Sequence, residues 1–113
     1  MIHPRELEIL NILWGTYEEL SSTDIIIRHG GLTQSTVVYV LNKLLRHELV
    51  EVVGEKHCGN VLARTYRPTI RSKTAVLEQV LEKYDTISNI VSVDDIMSAM
   101  IEKAAREEKR GVG

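Results

Sequence analysis

Residues Gln34 to Val53 read QSTVVYVLNKLLRHELVEVV, and after a short polar gap Arg64 to Pro68 read RTYRP. Within the first stretch Val37, Val40, Leu41, Leu44 and Leu45 recur at i, i+3, i+4, i+7 and i+8, which is one buried face of a helix. Thr33 stands where an N-cap belongs. From Leu49 to Glu55 β-branched residues take over, and Ala63 to Arg67 alternates again before Pro68 closes it. Two such runs around a loop containing Gly and Asn predict a hairpin with Lys56-His57-Cys58-Gly59-Asn60 as its tip. A helix that leads into a hairpin rich in arginine is the order of a recognition helix followed by a wing.

The segments upstream supply the scaffold such a helix needs. Pro4 to Trp14 is a helix with an apolar stripe of Leu7, Ile9, Leu10, Leu13 and Trp14. Pro4 suits its first turn and Gly15 its end. Ser21 and Asp24 have the spacing of a capping box for a second helix. The run Ile25-Ile26-Ile27 by itself would fit a strand, but the cap before it and His29-Gly30-Gly31 after it favour a short helix. Downstream, Ala75, Leu77, Val80, Leu81 and Tyr84 predict a helix from about Ser72 to Tyr84, broken by Asp85-Thr86 and Ser88-Asn89. Ser92 then caps a final helix, with Asp94 and Asp95 at its positive end and a charged end, Lys103 to Arg110, that frays. The expected fold class is mainly α with a small β-hairpin: a winged helix-turn-helix domain over residues 1–70 and dimerisation helices over 71–113.

Composition bounds the function. The 113 residues are 43% hydrophobic and 27% charged, an ordinary globular mixture. There is no Phe and one Trp, so Leu, Ile and Val build the core. One cysteine, Cys58, excludes an internal disulfide and fits a reducing cytoplasm. The N-terminus is charged where a signal peptide needs an apolar run, and no segment approaches the roughly 18 apolar residues of a membrane span. The expected protein is therefore cytoplasmic, without a membrane partner. No nucleophile elbow, metal-binding helix or phosphate loop is visible, so an enzyme is not expected. His57 and Cys58 are too few for a zinc site, and neither metal nor cofactor is expected.

The net charge of −2 argues against a polyanionic partner until its distribution is examined. No acid lies between Asp24 and Glu48, where Arg28, Lys43 and Arg46 fall. None lies between Glu55 and Glu78, where Lys56, Arg64, Arg67, Arg71 and Lys73 fall. Eight of the 14 cationic residues thus occupy two acid-free windows, and local field steers a polyanion more than net charge does. Chance clustering on a solvated surface is the competing reading. The polar side of the Thr33-capped helix carries Gln34, Ser35, Thr36, Val38, Tyr39, Asn42, Lys43 and Arg46. Gln pairs with adenine, hydroxyls suit bases or phosphates, and Asn42, Lys43 and Arg46, further along the helix, suit the backbone. Lys56, Arg64 and Arg67 extend this set along the hairpin. For single residues the alternatives stay open: Ser35 and Thr36 as capping groups, Tyr39 packed on the second helix, Lys43 and Arg46 merely solvated.

Three groups of residues resemble the penicillinase-repressor family (BlaI/MecI/CopY) of transcriptional regulators. Glu6-Leu7-Glu8-Ile9 with Ile12-Leu13-Trp14 is similar to its opening E-L-E-V…I-L-W. Ser35-Thr36-Val37 with Leu41-Asn42-Lys43-Leu44 is similar to its S-T-V…L-N-R-L. Tyr66-Arg67-Pro68 is similar to the Y-x-P that closes its wing. The resemblance spans residues 5 to 68. It implies a winged-helix repressor that binds a dyad-symmetric operator as a dimer, joined through C-terminal helices. It also implies relief of repression by an inducer or an inactivating protease. Departures are specific. The family usually has a cation where Val38 stands, a small hydroxyl where Tyr39 stands, and Lys-Gly where this chain has His47-Glu48. The C-x-C motif of copper-sensing members is missing. So is the Asn-Phe pair linked with proteolytic induction, for which Asn89-Ile90 is a poor substitute.

The apolar residues of the last two helices, Leu77, Val80, Leu81, Tyr84, Ile96, Met97, Met100 and Ile101, have little core left to cover. A two-fold dimer interface is the expected use, setting two recognition helices about 34 Å apart, one DNA turn. Folding back on the chain's own domain is the alternative. Two further functions compete: a winged helix that binds protein through Val38 and Tyr39, and a ligand-sensing regulator with a pocket at the dimer interface.

Overall fold

The computed structural model describes residues 1–112. The elements run α1 (Pro4–Trp14), α2 (Ser22–His29), α3 (Gln34–Arg46), β1 (Val50–Cys58), β2 (Val61–Pro68), α4 (Ile70–Asp85) and α5 (Val93–Val112). Local chemistry sets most of the boundaries. Ser21 accepts the Asp24 N–H while the Asp24 carboxylate accepts the Ser21 N–H, the reciprocal box expected from spacing. Thr33 accepts the Thr36 N–H at the start of α3. Ser92 and Asp95 repeat the box at α5. Gly30 ends α2 at φ +76°, a conformation without steric penalty only for glycine.

The first compact unit, Met1–Gln79, is a three-helix cluster closed by the hairpin. Ile9, Leu10 and Leu13 of α1, Ile25 of α2 and Val37, Val40, Leu41 and Leu44 of α3 form one core with Leu20, Leu49, Val50 and Tyr66. The β1 and β2 strands pair antiparallel from Val50↔Pro68 to Cys58↔Val61, with a bulge between Val52 and Gly54. Leu20 adds an isolated bridge to Tyr66, donating to and accepting from its backbone. This ties the hairpin to the segment between α1 and α2. The arrangement is a winged helix-turn-helix, as the sequence predicts. The start of α4 belongs to the same unit: Ala75 and Val76 pack against the core, and the Trp14 indole donates to Ser72 Oγ at 2.9 Å.

The turn from α3 into β1 answers the His47-Glu48 departure. The Leu49 N–H reaches the Leu44 carbonyl at 2.9 Å, and the Glu48 N–H reaches Leu45 at 3.0 Å. This is a Schellman ending, with buried Leu44 and Leu49 as its apolar contact. It forces Glu48 to φ +60°, where glycine is the usual residue. The Glu48 side chain gains only an exposed ion pair with Arg71 at 3.0 Å, and such pairs contribute little. Glu48→Gly is therefore expected to stabilise the protein by about 0.5–1 kcal/mol, read as a higher urea midpoint. A lower midpoint would mean that the Arg71 pair outweighs the backbone strain.

Four expectations need correction. Trp14, expected on the apolar stripe of α1, is exposed, and Glu6 takes a buried place instead. The hairpin tip is narrower than expected: Lys56, His57 and Cys58 are in β1 and only Gly59-Asn60 turns, because Gly59 at φ +66° allows a two-residue loop. Helix α4 starts at Ile70 rather than near Ser72, with the Thr69 hydroxyl accepting the Ser72 N–H. Helix α5 continues through the charged segment expected to fray. Among the described residues no helix is long and apolar enough to cross a membrane.

The second unit begins at Val80. Tyr84 donates its hydroxyl to the Val91 carbonyl at 2.9 Å, fixing the turn before α5. No described side chain of α5 is fully buried.

Candidate nucleic-acid interface

Burial of one face of α3 leaves the other outward. Gln34, Ser35, Val38, Tyr39, Asn42 and Arg46 are all exposed. Tyr39 is 65% exposed and Val38 40%, so Tyr39 does not pack into the domain. Two of the group are held from beneath. The Gln34 amide donates to Ser22 Oγ at 3.3 Å, which anchors it to the first residue of α2. Thr36 is half-buried and its hydroxyl bonds that of Thr33, so it serves the cap more than the surface. No acid lies in the first turn of α3. The free N–H groups there keep their partial positive charge, which favours an anion such as phosphate.

The cations divide into two groups. Lys43, placed on the polar side by sequence, turns inward and meets Glu6 of α1 at 2.9 Å. Glu6 is 5% exposed. Burial alone would raise its carboxyl pKa, but the His3 N–H and the Lys43 ammonium outweigh that and hold it below the usual range. Lys56 pairs with Asp24 in α2. Partial burial works to raise the Asp24 pKa, yet the hydrogen bonds from Lys56 and Ser21 hold it low; Asp24 in turn holds Lys56 above its usual range. Arg28 pairs with Glu18 at 2.7 Å, and Arg71 with Glu48. Lys73 lies over the Trp14 ring, 5.6 Å from its centroid.

Arg46 and Arg64 are exposed with no ion pair among the described residues. Arg67 donates to the Tyr17 carbonyl at 2.9 Å and keeps the rest of its guanidinium outward. The sequence-based set thus separates into an open group on α3 and β2 and two lysines already engaged. Glu6, Asp24 and Ser22, which position or neutralise members of that set, were missed. Asp24 was legible as the cap partner of Ser21, but not as the partner of Lys56.

The hairpin is also tied to the helical domain. Besides the Lys56 contact, Thr65 is buried and donates to Glu19 at 3.3 Å, and the Cys58 thiol lies 3.6 Å from the Ser21 hydroxyl. Cys58 is half-buried. Among the described residues no three His, Cys, Asp or Glu side chains converge as metal ligands.

The residues expected at a dimer interface are exposed in six cases: Leu77, Val80, Leu81, Met97, Met100 and Ile101. Tyr84 and Ile96 are half-buried within the chain.

Comparison with known proteins agrees with this fold. The profile described as Penicillinase repressor matches residues 2–110. Among solved structures, the PcaV transcriptional regulator from Streptomyces coelicolor, in complex with its natural ligand, is similar at TM-score 0.55 and 17% identity, over 92% of this chain and 74% of that one. Rv0081 of M. tuberculosis is similar at 0.51 and 25%, over 74% and 80%. The reduced form of the B. subtilis transcriptional regulator YodB is similar at 0.52 and 15%, over 81% and 84%. At such identities the PcaV and YodB likenesses speak for the fold alone. No curated protein matches the chain.

Proposed function

The chain belongs to the penicillinase repressor family of transcriptional regulators, and from that premise we propose that it is a cytoplasmic repressor that binds a dyad-symmetric DNA operator as a homodimer. One observation carries the reading: the solvent face of α3 is free of acids, rich in hydrogen-bonding groups and continuous with an unneutralised helix N-terminus. A helix of this kind fits the major groove. Gln34, Ser35, Val38 and Tyr39 face base edges, with Thr36 holding the cap beneath them and Asn42 further along at the backbone. Arg46, Arg64 and Arg67 meet phosphates. Lys43 and Lys56 join those contacts only by exchanging Glu6 and Asp24 for phosphate. The exposed apolar residues of α4 and α5 support dimerisation, because leaving so many in water forgoes burial worth about 25 cal/mol per Å².

Selection of bound duplexes from a random pool tests the reading. A palindromic preferred sequence is expected. Its affinity should fall with salt on a log–log slope of about −5, the value for roughly six phosphate contacts per dimer. Recovery of no preferred duplex at low salt would remove the repressor reading. The protruding Val38–Tyr39 pair keeps one second reading in play, a winged helix that docks protein. It predicts that Tyr39→Ala abolishes a protein complex while DNA affinity is unchanged.

A further inference from the structure

The middle of the outward face of α3 is apolar, and that is unusual for a surface meant to meet a polar groove. Val38 lies one helical turn beyond Gln34, in line with it, since i and i+4 stack on one face. Tyr39 stands beside Val38, 65% exposed, one turn beyond Ser35. Neither side chain has a place in the core. With the Gln34 amide tethered to Ser22, one of its N–H groups is used. Its second N–H and its carbonyl oxygen remain, and together they match N7 and N6 of adenine.

What lies under Val38 is then constrained. A base-edge donor or acceptor covered by a valine loses its water and gains no partner, which is unfavourable. The thymine 5-methyl is the apolar group that the major groove offers. We propose that Val38, flanked by Tyr39, reads thymine methyl groups in the operator half-site. Four residues of helix rise about 6 Å, and stacked bases are about 3.4 Å apart. The thymine therefore lies within one or two base pairs of the adenine paired by Gln34. Each half-site is accordingly an A·T-rich step with a defined methyl position. Tyr39 walls the methyl on one side and excludes water from it. The inference rests on the DNA-binding reading above and adds the chemistry that reads the sequence.

Deoxyuridine in place of thymidine tests it, because uracil keeps every hydrogen bond and lacks only the methyl. The preferred duplex from the random pool is remade with uracil at each half-site thymine in turn, and binding is titrated with the full-length chain. One or two positions per half-site should lose affinity about fourfold, the worth of one buried methyl-sized group, and about sixteenfold when both half-sites are changed. With Val38→Ala the uracil effect should shrink at the position under Val38, because the shorter side chain covers the methyl less, while thermal unfolding is unchanged. Val38 is on the surface of a helix, and alanine favours helix, so this variant folds. Tight binding that is indifferent to uracil at every position overturns the inference and leaves the repressor reading intact. Absence of any preferred duplex overturns both. Loss of a protein complex in Val38→Ala, with duplex affinity and uracil sensitivity unchanged, overturns it in favour of a protein partner.

Discussion

With Met100 replaced by glutamate, the protein is expected to become monomeric at micromolar concentration and to bind its operator at least about 100-fold more weakly. Met97, Met100 and Ile101 lie at i, i+3 and i+4 on α5 and are all exposed in the single chain. If a second copy covers them, a carboxylate at position 100 is buried without a partner, at several kcal/mol. Two half-sites then bind independently, and the gain of roughly 10²–10⁴ from tethering them is lost. Glutamate is a good helix former, so α5 itself persists. Sedimentation equilibrium and operator titration read the two effects. An unchanged dimer with Glu at position 100 would exclude this stripe from the interface.

The second large effect is on stability. Leu41→Ala is expected to destabilise the protein by about 3 kcal/mol, because Leu41 is 1% exposed in the core that α3 shares with α1 and α2. In a winged-helix unit of 79 residues this lowers the melting temperature by about 15 °C. Tyr39→Ala, two residues earlier on the opposite face, removes no core contact and should shift stability by no more than about 0.5 kcal/mol. The same change should weaken operator binding. The pair separates the two faces of one helix by calorimetry and DNA titration. If Leu41→Ala instead reduced DNA affinity at an unchanged melting temperature, the faces would be assigned the wrong way round.

Much of the fold was legible because its signals are local. The Ser21–Asp24 box, the Thr33 cap and the Ser92 cap each depend on residues within three positions of one another. The buried face of α3 follows from its period alone. The start of α4 was less legible, because Thr69-Ile70 after Pro68 carries β-branched residues that mask a cap. The hairpin tip was read too wide for a similar reason. Polar Lys56 and His57 look like loop residues, and nothing local shows that Lys56 has Asp24 as its partner across the domain. Glu6 was the hardest case: a carboxylate reads as surface until Lys43 and the His3 N–H are seen around it.

The candidate interface divides along the same line. The sequence alone determined that α3 has a polar side without acids, and that Val38 and Tyr39 stand on it. Periodicity is enough for that, since neighbours three and four apart share a face. Only the tertiary structure decided how much positive charge remains there. The two acid-free windows are free of acids along the chain but not through space: Glu6, Asp24, Glu18 and Glu48 return to Lys43, Lys56, Arg28 and Arg71. Coulomb attraction depends on distance between charges and on their burial, not on separation in sequence. Among the described cations of those windows, folding leaves Arg46, Arg64 and the outer part of Arg67 open near the hairpin and α3, while Lys73 lies over the Trp14 ring. It also leaves most of Tyr39 and part of Val38 open to solvent at the centre of α3.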